Sequence, residues 1–170
     1  MKRATQQKGL HPFAMACRIK REQYRQIRDF IEYATYALIK TGKVKSSENL
    51  IVILTGDFNS NAYADKQVAS LIRDLGSPRD LHQELNSPDE EYTMMVKLFN
   101  LYARFDYIFA YDKLGDYSFK KVSTQSINAT DVKNDKDGSI SDHLALKAVL
   151  KFEEPEMDSA QSVNLERNAK

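Results

Sequence analysis

A single cysteine and no tryptophan occur in this 170-residue chain. Cys17 has no partner for an internal disulfide or a thiolate metal site, so neither holds the fold, and no redox compartment follows from it. Long apolar runs are missing too: none approaches the roughly 20 residues that span a bilayer, which excludes a transmembrane segment within this sequence. The opening MKRATQQKGLHPFAMA is basic but lacks the continuous apolar stretch of a secretory signal. The chain therefore reads as soluble, with no visible signal peptide and no compartment indicated. Charge of one sign is also absent. The 25 Lys and Arg against 24 Asp and Glu leave a formal charge of +1, and no broad basic field announces sequence-independent binding to a nucleic acid backbone. What is present is 42% hydrophobic and 29% charged, an ordinary globular composition long enough for one domain with a real core.

Apolar periodicity gives the organisation. Tyr24, Ile27, Phe30, Ile31, Ala34 and Leu38 form one stripe on a helix spanning 18 to about 40, which Gly42 ends. Its other face carries Arg21, Arg25, Arg28 and Glu32 and reads first as a solvated surface, with phosphate binding as the sharper alternative. LIVILT, 50 to 55, is short, rich in β-branched residues and bounded by polar turns, which predicts a central strand buried on both faces. Val68, Leu71, Ile72 and Leu75 then recur at helical spacing, with Ser60 and Asn61 available as caps and Gly76 with Pro78 as the stop. The runs at 91–99, 104–110, 116–124 and 142–151 read as antiparallel strands, with Phe105, Tyr107 and Phe109 on one side of theirs. Asn128 to Ser139 reads as a polar loop. Tyr92, Phe99, Tyr102 and Phe105 read as packed strand aromatics in preference to a membrane-facing patch. No internal repeat is visible.

Three strings carry chemistry: GDFNSN at 56–61, RFDYIF at 104–109 and SDHLAL at 141–146. Asp57 and Asn59 lie two apart where a strand ends, so in extended geometry they project to the same side. A carboxylate there binds a hard cation or orients water, and an amide donates to a phosphate oxygen without neutralising the metal. The same pair also reads as an ordinary Asx turn. Asp142 and His143 are adjacent, so on a strand they face opposite ways and one can meet metal while the other meets substrate. His143 titrates near neutrality and needs an orienting carboxylate; Asp106, on an apolar strand where an unpaired charge is costly, is the candidate. His11 and His82, in polar surroundings, read as surface residues.

In this order the strings resemble the C-terminal part of the endonuclease/exonuclease/phosphatase superfamily, and CRIKREQYRQIRDFIE before the GDFN strand resembles its neutral sphingomyelinase-like branch. The fold implied is α/β in the α+β sense: the C-terminal portion of a DNase I-like four-layer αββα sandwich with mostly antiparallel or mixed strands. The resemblance implies that Asp57 assists metal-bound water or the leaving group, that Asn59 contacts the scissile phosphate and that Asp106 orients the catalytic imidazole. It further implies that Asp142 lies on the cation or its water shell and that His143 activates water or donates to the phosphate. The implied cofactor is magnesium, with Asp57 and Asp142 as the metal residues. The implied substrate is a phosphodiester, a lipid head group being favoured over nucleic acid. The alternatives are a nuclease or phosphatase of the same fold and a catalytically dead interaction module.

The superfamily also draws ligands from an N-terminal half: an asparagine on the first strand, a glutamate after the second, and a histidine in a Gly-Thr-His-like strand. This sequence contains none of those strings. The resemblance covers 17–152, a partial domain preceded by a basic lead-in, 1–16, and followed by a polar tail, 153–170, expected to be disordered. The expectation is a fragment that is inactive alone, whose site a separate N-terminal polypeptide completes. One apolar face of its sheet is expected to lie open to water.

Overall fold

A computed structural model describes residues 12–85, 92–96, 101–134, 138–139 and 141–152. Its axis is strand β5, Asp106–Tyr111, whose sequence DYIFAY is buried at every position after Asp106. Strand β1, Val52–Asp57, pairs antiparallel along one edge of β5, and the short β2, Arg79–Asp80, along the other. Side chains on a strand alternate between faces, so β5 serves two cores at once. Tyr107, Phe109 and Tyr111 face one way, whereas Ile108 and Ala110 face the other.

The first core lies under two helices. Helix α1, Pro12–Lys40, brings Tyr24, Ile27 and Ile31, and helix α2, Asp65–Asp74, brings Leu71 and Ile72, with Leu75 immediately after it. Phe58 sits among them with ring centroids 5.4 Å from Phe109 and 5.8 Å from Tyr107, both edge-on. Burying each such ring contributes about 1.5–3 kcal/mol, which makes this aromatic cluster the strongest tie between helices and sheet. Gly76, at φ +90, closes α2: Ser77 N–H returns to the Ile72 carbonyl, and a side chain at 76 would collide with Leu114.

The second core lies on the opposite face. Strands β8, Val122–Thr130, and β11, Ala145–Phe152, pair antiparallel and turn Val122, Ile127, Leu146, Ala148 and Leu150 toward Ile108 and Ala110. Helix α3, Leu81–Leu85, adds the fully buried Leu81. Four small antiparallel pairings complete the described residues. Strands β3, Met94–Val96, and β4, Leu101–Ala103, form one, and β6, Lys113–Leu114, and β7, Tyr117–Ser118, another. Strands β9, Lys133–Asn134, and β10, Gly138–Ser139, form a third, while Met94 also bridges His143. The architecture is thus α+β with antiparallel sheets. No helix among the described residues is long and apolar enough to cross a membrane.

Several expectations change. LIVILT is an edge strand, and the doubly buried centre is β5: the β8–β11 pair covers the inner face of β5 but leaves Ile51 and Ile53 of the neighbouring run 37% and 36% exposed. Phe30 leaves the buried stripe of α1 and stands 68% exposed, because it is rotated toward the outer edge of β1. α1 begins at Pro12, so residues 12–16 of the lead-in are helical. Asn128 to Thr130 belong to β8, and β9 and β10 occupy part of the predicted polar loop. The N-cap of α2 is Ala64; Ser60 is buried against Tyr24 and Asn61 closes its own turn onto Tyr63 N–H. His82 is buried in α3 and not a surface residue. His11, Phe99 and the tail 153–170 lie outside the described residues.

Candidate active site

The chain leaves β1 through a turn fastened from several sides. Asn59 adopts φ +49, a left-handed conformation that asparagine tolerates better than most residues. Its backbone N–H donates to Asp57 Oδ1 at 2.7 Å and its amide Nδ2 to Asp57 Oδ2 at 3.2 Å. Asp57 and Asn59 are therefore brought together by an Asx turn, not by extended geometry, and both remain exposed enough to meet a ligand. Phe58 N–H donates to the Phe105 carbonyl and Ala62 N–H to that of Arg104, which locks the turn to the RFD segment. Tyr107 donates to the Ser60 carbonyl at 2.6 Å. Tyr24 donates to the Phe58 carbonyl at 2.7 Å and accepts from Ser60 Oγ, while Lys20 donates to the Asn59 carbonyl.

The second half of the site is built around Asp106 and His143. His143 Nδ1 lies 2.7 Å from Asp106 Oδ2, with both side chains about a quarter exposed or less. Donation from Nδ1 to the carboxylate fixes the tautomer and leaves Nε2 as the free acceptor, the form a general base requires. The hydrogen bond to Asp106 raises the His143 pKa above its ordinary 6.5, partial burial opposes that rise, and the charges of Asp106, Asp57 and Asp142 add to it. His143 precedes β11 in a short bend, where its own N–H donates to Ser141 Oγ at 3.0 Å. Asp142 shares that bend and is exposed, so the predicted strand begins only at Ala145.

Thr93 joins the two halves, and no spacing in the sequence singles it out. It is fully buried, its Oγ1 accepts the N–H groups of Phe105 and Asp106, and its carbonyl accepts Leu144 N–H at 2.7 Å. One residue thereby sets both the start of β5 and the approach to β11. Tyr24 and Lys20 were not singled out as site residues, Tyr24 having read as part of the helix stripe. Beneath the site, Arg104 forms a buried bidentate pair with Asp80, the shorter arm 2.6 Å, and lies over the Tyr107 ring.

Carboxylate oxygens from Asp57, Asp106 and Asp142 are the donors a hard cation such as magnesium takes. Among the described residues, however, no three ionisable groups converge closely enough to form a complete cation site. The arginines of α1 are largely engaged: Arg21 and Arg25 reach Asp74 at 2.8 and 3.5 Å, and Arg28 reaches Asp29 at 2.6 Å. Beside the turn, a groove of about 680 Å³ runs between α1 and the outer edge of β1. No protein-family model, curated protein or solved structure matches the chain.

Proposed function

We propose that this chain is part of a DNase I-like four-layer sandwich and carries the water-activating end of a magnesium-dependent phosphodiester hydrolase of the sphingomyelinase-like kind. The observation that carries the reading is the 2.7 Å His143–Asp106 pair set across from the Asp57–Asn59 turn. Asp106 holds the imidazole so that Nε2 takes a proton from the attacking water. Asn59 Nδ2, at the mouth of the turn, donates to a phosphate oxygen, and Asp57 assists departure of the lipid alcohol. Magnesium, held by Asp57 and Asp142, supplies charge stabilisation at the phosphoryl group when bound.

With no group of three His, Cys, Asp or Glu among the described residues able to hold a cation, the chain alone turns over little or no substrate until a further polypeptide segment completes the site. A lipid head group is favoured over nucleic acid because Arg21, Arg25 and Arg28 are engaged with Asp74 and Asp29 instead of lining a free basic groove. The test is phosphocholine release from sphingomyelin vesicles with magnesium, by the chain alone and with its completing polypeptide. Release by the complex, lost in His143→Ala, is expected. Plasmid cutting without phosphocholine release would favour the nuclease, and absence of magnesium binding would favour a non-catalytic module.

A further inference from the structure

A cleft of about 380 Å³ lies between the C-terminal half of α1 and the β6–β7 turn, and it shares no residue with the candidate active site. Its walls hold three carboxylates and three tyrosines, and no lysine, arginine or histidine. Glu32 and Asp116 stand on opposite walls, one on the helix and one on the turn. Glu32 reaches across: a Cβ at Gly115 would lie 2.9 Å from its Oε1, so the carboxylate occupies space that only a glycine at the turn leaves open. Neither Glu32 nor Asp116 has a hydrogen bond or ion pair among the described residues. Asp29, the third carboxylate, is held by Arg28 at 2.6 Å, and Arg28 feels the charge of Glu32 without an ion pair to it. Tyr33 and Tyr36 are 68% and 53% exposed, while Tyr117 packs against the core of Tyr111, Leu114 and Phe119.

The geometry points to this cleft as a binding site for one guanidinium group. Negative charge on both walls selects a cation, and among the described residues no three acidic, histidine or cysteine side chains are close enough to hold a metal ion. The carboxylates are thus spaced for a larger, organic cation. A quaternary ammonium suits the rings but has no N–H to give either carboxylate. A primary ammonium has three donors but is a compact point charge that keeps its water. A guanidinium is weakly hydrated, stacks on aromatic faces and carries donors on both edges of its plane, so Glu32 and Asp116 can each accept from it while a tyrosine ring covers its face. Nothing in this reading uses magnesium or hydrolysis.

The test uses the full chain, isotope-labelled, at low salt, where charge attraction is least screened. It is titrated with acetyl-Gly-Arg-Gly-amide, with the lysine counterpart of that peptide, with ethylguanidinium and with choline. The arginine peptide should give saturable shifts in residues 29–36 and 113–118 and leave residues 52–57 in place. The lysine peptide and choline should each bind about fivefold more weakly or less. Glu32→Gln should weaken the arginine peptide about tenfold, the worth of one charge-assisted hydrogen bond, and Tyr33→Leu about threefold. Glutamine keeps the size of Glu32 and Tyr33 is exposed, so the β5 signals should not move in either variant. Ethylguanidinium binding as tightly as the arginine peptide would mark a free guanidinium compound as the ligand, and tighter binding of the peptide would mark an arginine carried by a polypeptide. Shifts that do not saturate, shifts confined to other residues, lysine or choline binding as tightly as arginine, or an unchanged affinity in Glu32→Gln would each overturn the assignment.

Discussion

Asp57 and Asp106 stand directly opposite each other as the last rung of the β1–β5 ladder. Directly opposed residues share a face with their Cβ atoms about 5 Å apart, and like charges in that position destabilise a sheet. His143 is held against Asp106 at 2.7 Å, and when its imidazole is protonated the positive charge offsets this repulsion.

Replacing Asp106 by Asn removes the carboxylate whose hydrogen bond and charge raise the His143 pKa, so the imidazole should titrate closer to 6.5, read from the pH dependence of its ring proton signals. The sign for stability follows. A group whose folded pKa is raised contributes stability fully below its unfolded value and loses that contribution as pH rises through the folded value. D106N should therefore fall furthest below the parent in melting temperature under pH 6.5, with the gap narrowing under alkaline conditions. An unchanged His143 titration would separate the two residues in solution.

Asn59 separates fold from chemistry. Its φ of +49 costs most L-residues about 1 kcal/mol, and glycine nothing. Asn59→Gly should keep the turn and an unfolding free energy within about 0.5 kcal/mol of the parent, and Asn59→Ala should lose about 1 kcal/mol. On the hydrolase reading both remove the amide proposed to meet phosphate, so both should lower turnover by about a hundredfold. Activity tracking stability across the pair, instead of falling equally, would make the side chain a turn device alone.

The three chemical strings were legible because each pairs a short polar motif with an apolar run, and strand ends are where such motifs converge. Tyr107 and Phe109 announced their buried face by alternation, and Gly42 and Gly76 announced the helix ends. The sequence could not reveal which apolar run is central. LIVILT and DYIFAY have similar composition, and only the tertiary arrangement decides it: β2 pairs with the far edge of the second, and β8 and β11 cover its face. Phe30 misled because one helical step from Ile31 separates buried from open surface. His82 misled because its polar neighbours Asp80 and Gln83 belong to a helix start packed against β5 and β8, not to a loop. Thr93 had no signal at all, since its hydroxyl meets backbone N–H groups distant in sequence, which no spacing records.

Thr93 gives the clearest test of how the two halves are joined. Thr93→Val keeps the size of the side chain but takes the acceptor from two backbone N–H groups at a fully buried point, a loss of about 1–3 kcal/mol in urea unfolding. Thr93→Ser retains the oxygen and should lose less. Because the N–H of Asp106 is one of the two, Thr93→Val should also lower the His143 pKa, whereas Thr93→Ser should leave it in place. A destabilised valine variant with an unchanged His143 would confine Thr93 to packing.

Asp74 predicts where acid will loosen the helices. Its side chain is 5% exposed, and burial alone would raise its pKa, but the Arg21 hydrogen bond and the charges of Arg21, Arg25 and Arg73 hold it below 3.8. A carboxylate with a lowered folded pKa contributes stability above its unfolded value and loses it as pH falls through the folded one. Asp74→Asn should therefore cost about 2 kcal/mol at neutral pH, the worth of a charge-assisted hydrogen bond. The gap to the parent should stay level down to about pH 4 and close only below 3.8. Since Asp74 ties α2 to α1, the variant should lose protection first in α2 amides, while β5 amides stay slow. Uniform loss across α2 and β5 would mean that the helices and the sheet open as one unit and that the Arg21–Asp74 contact is no local hinge.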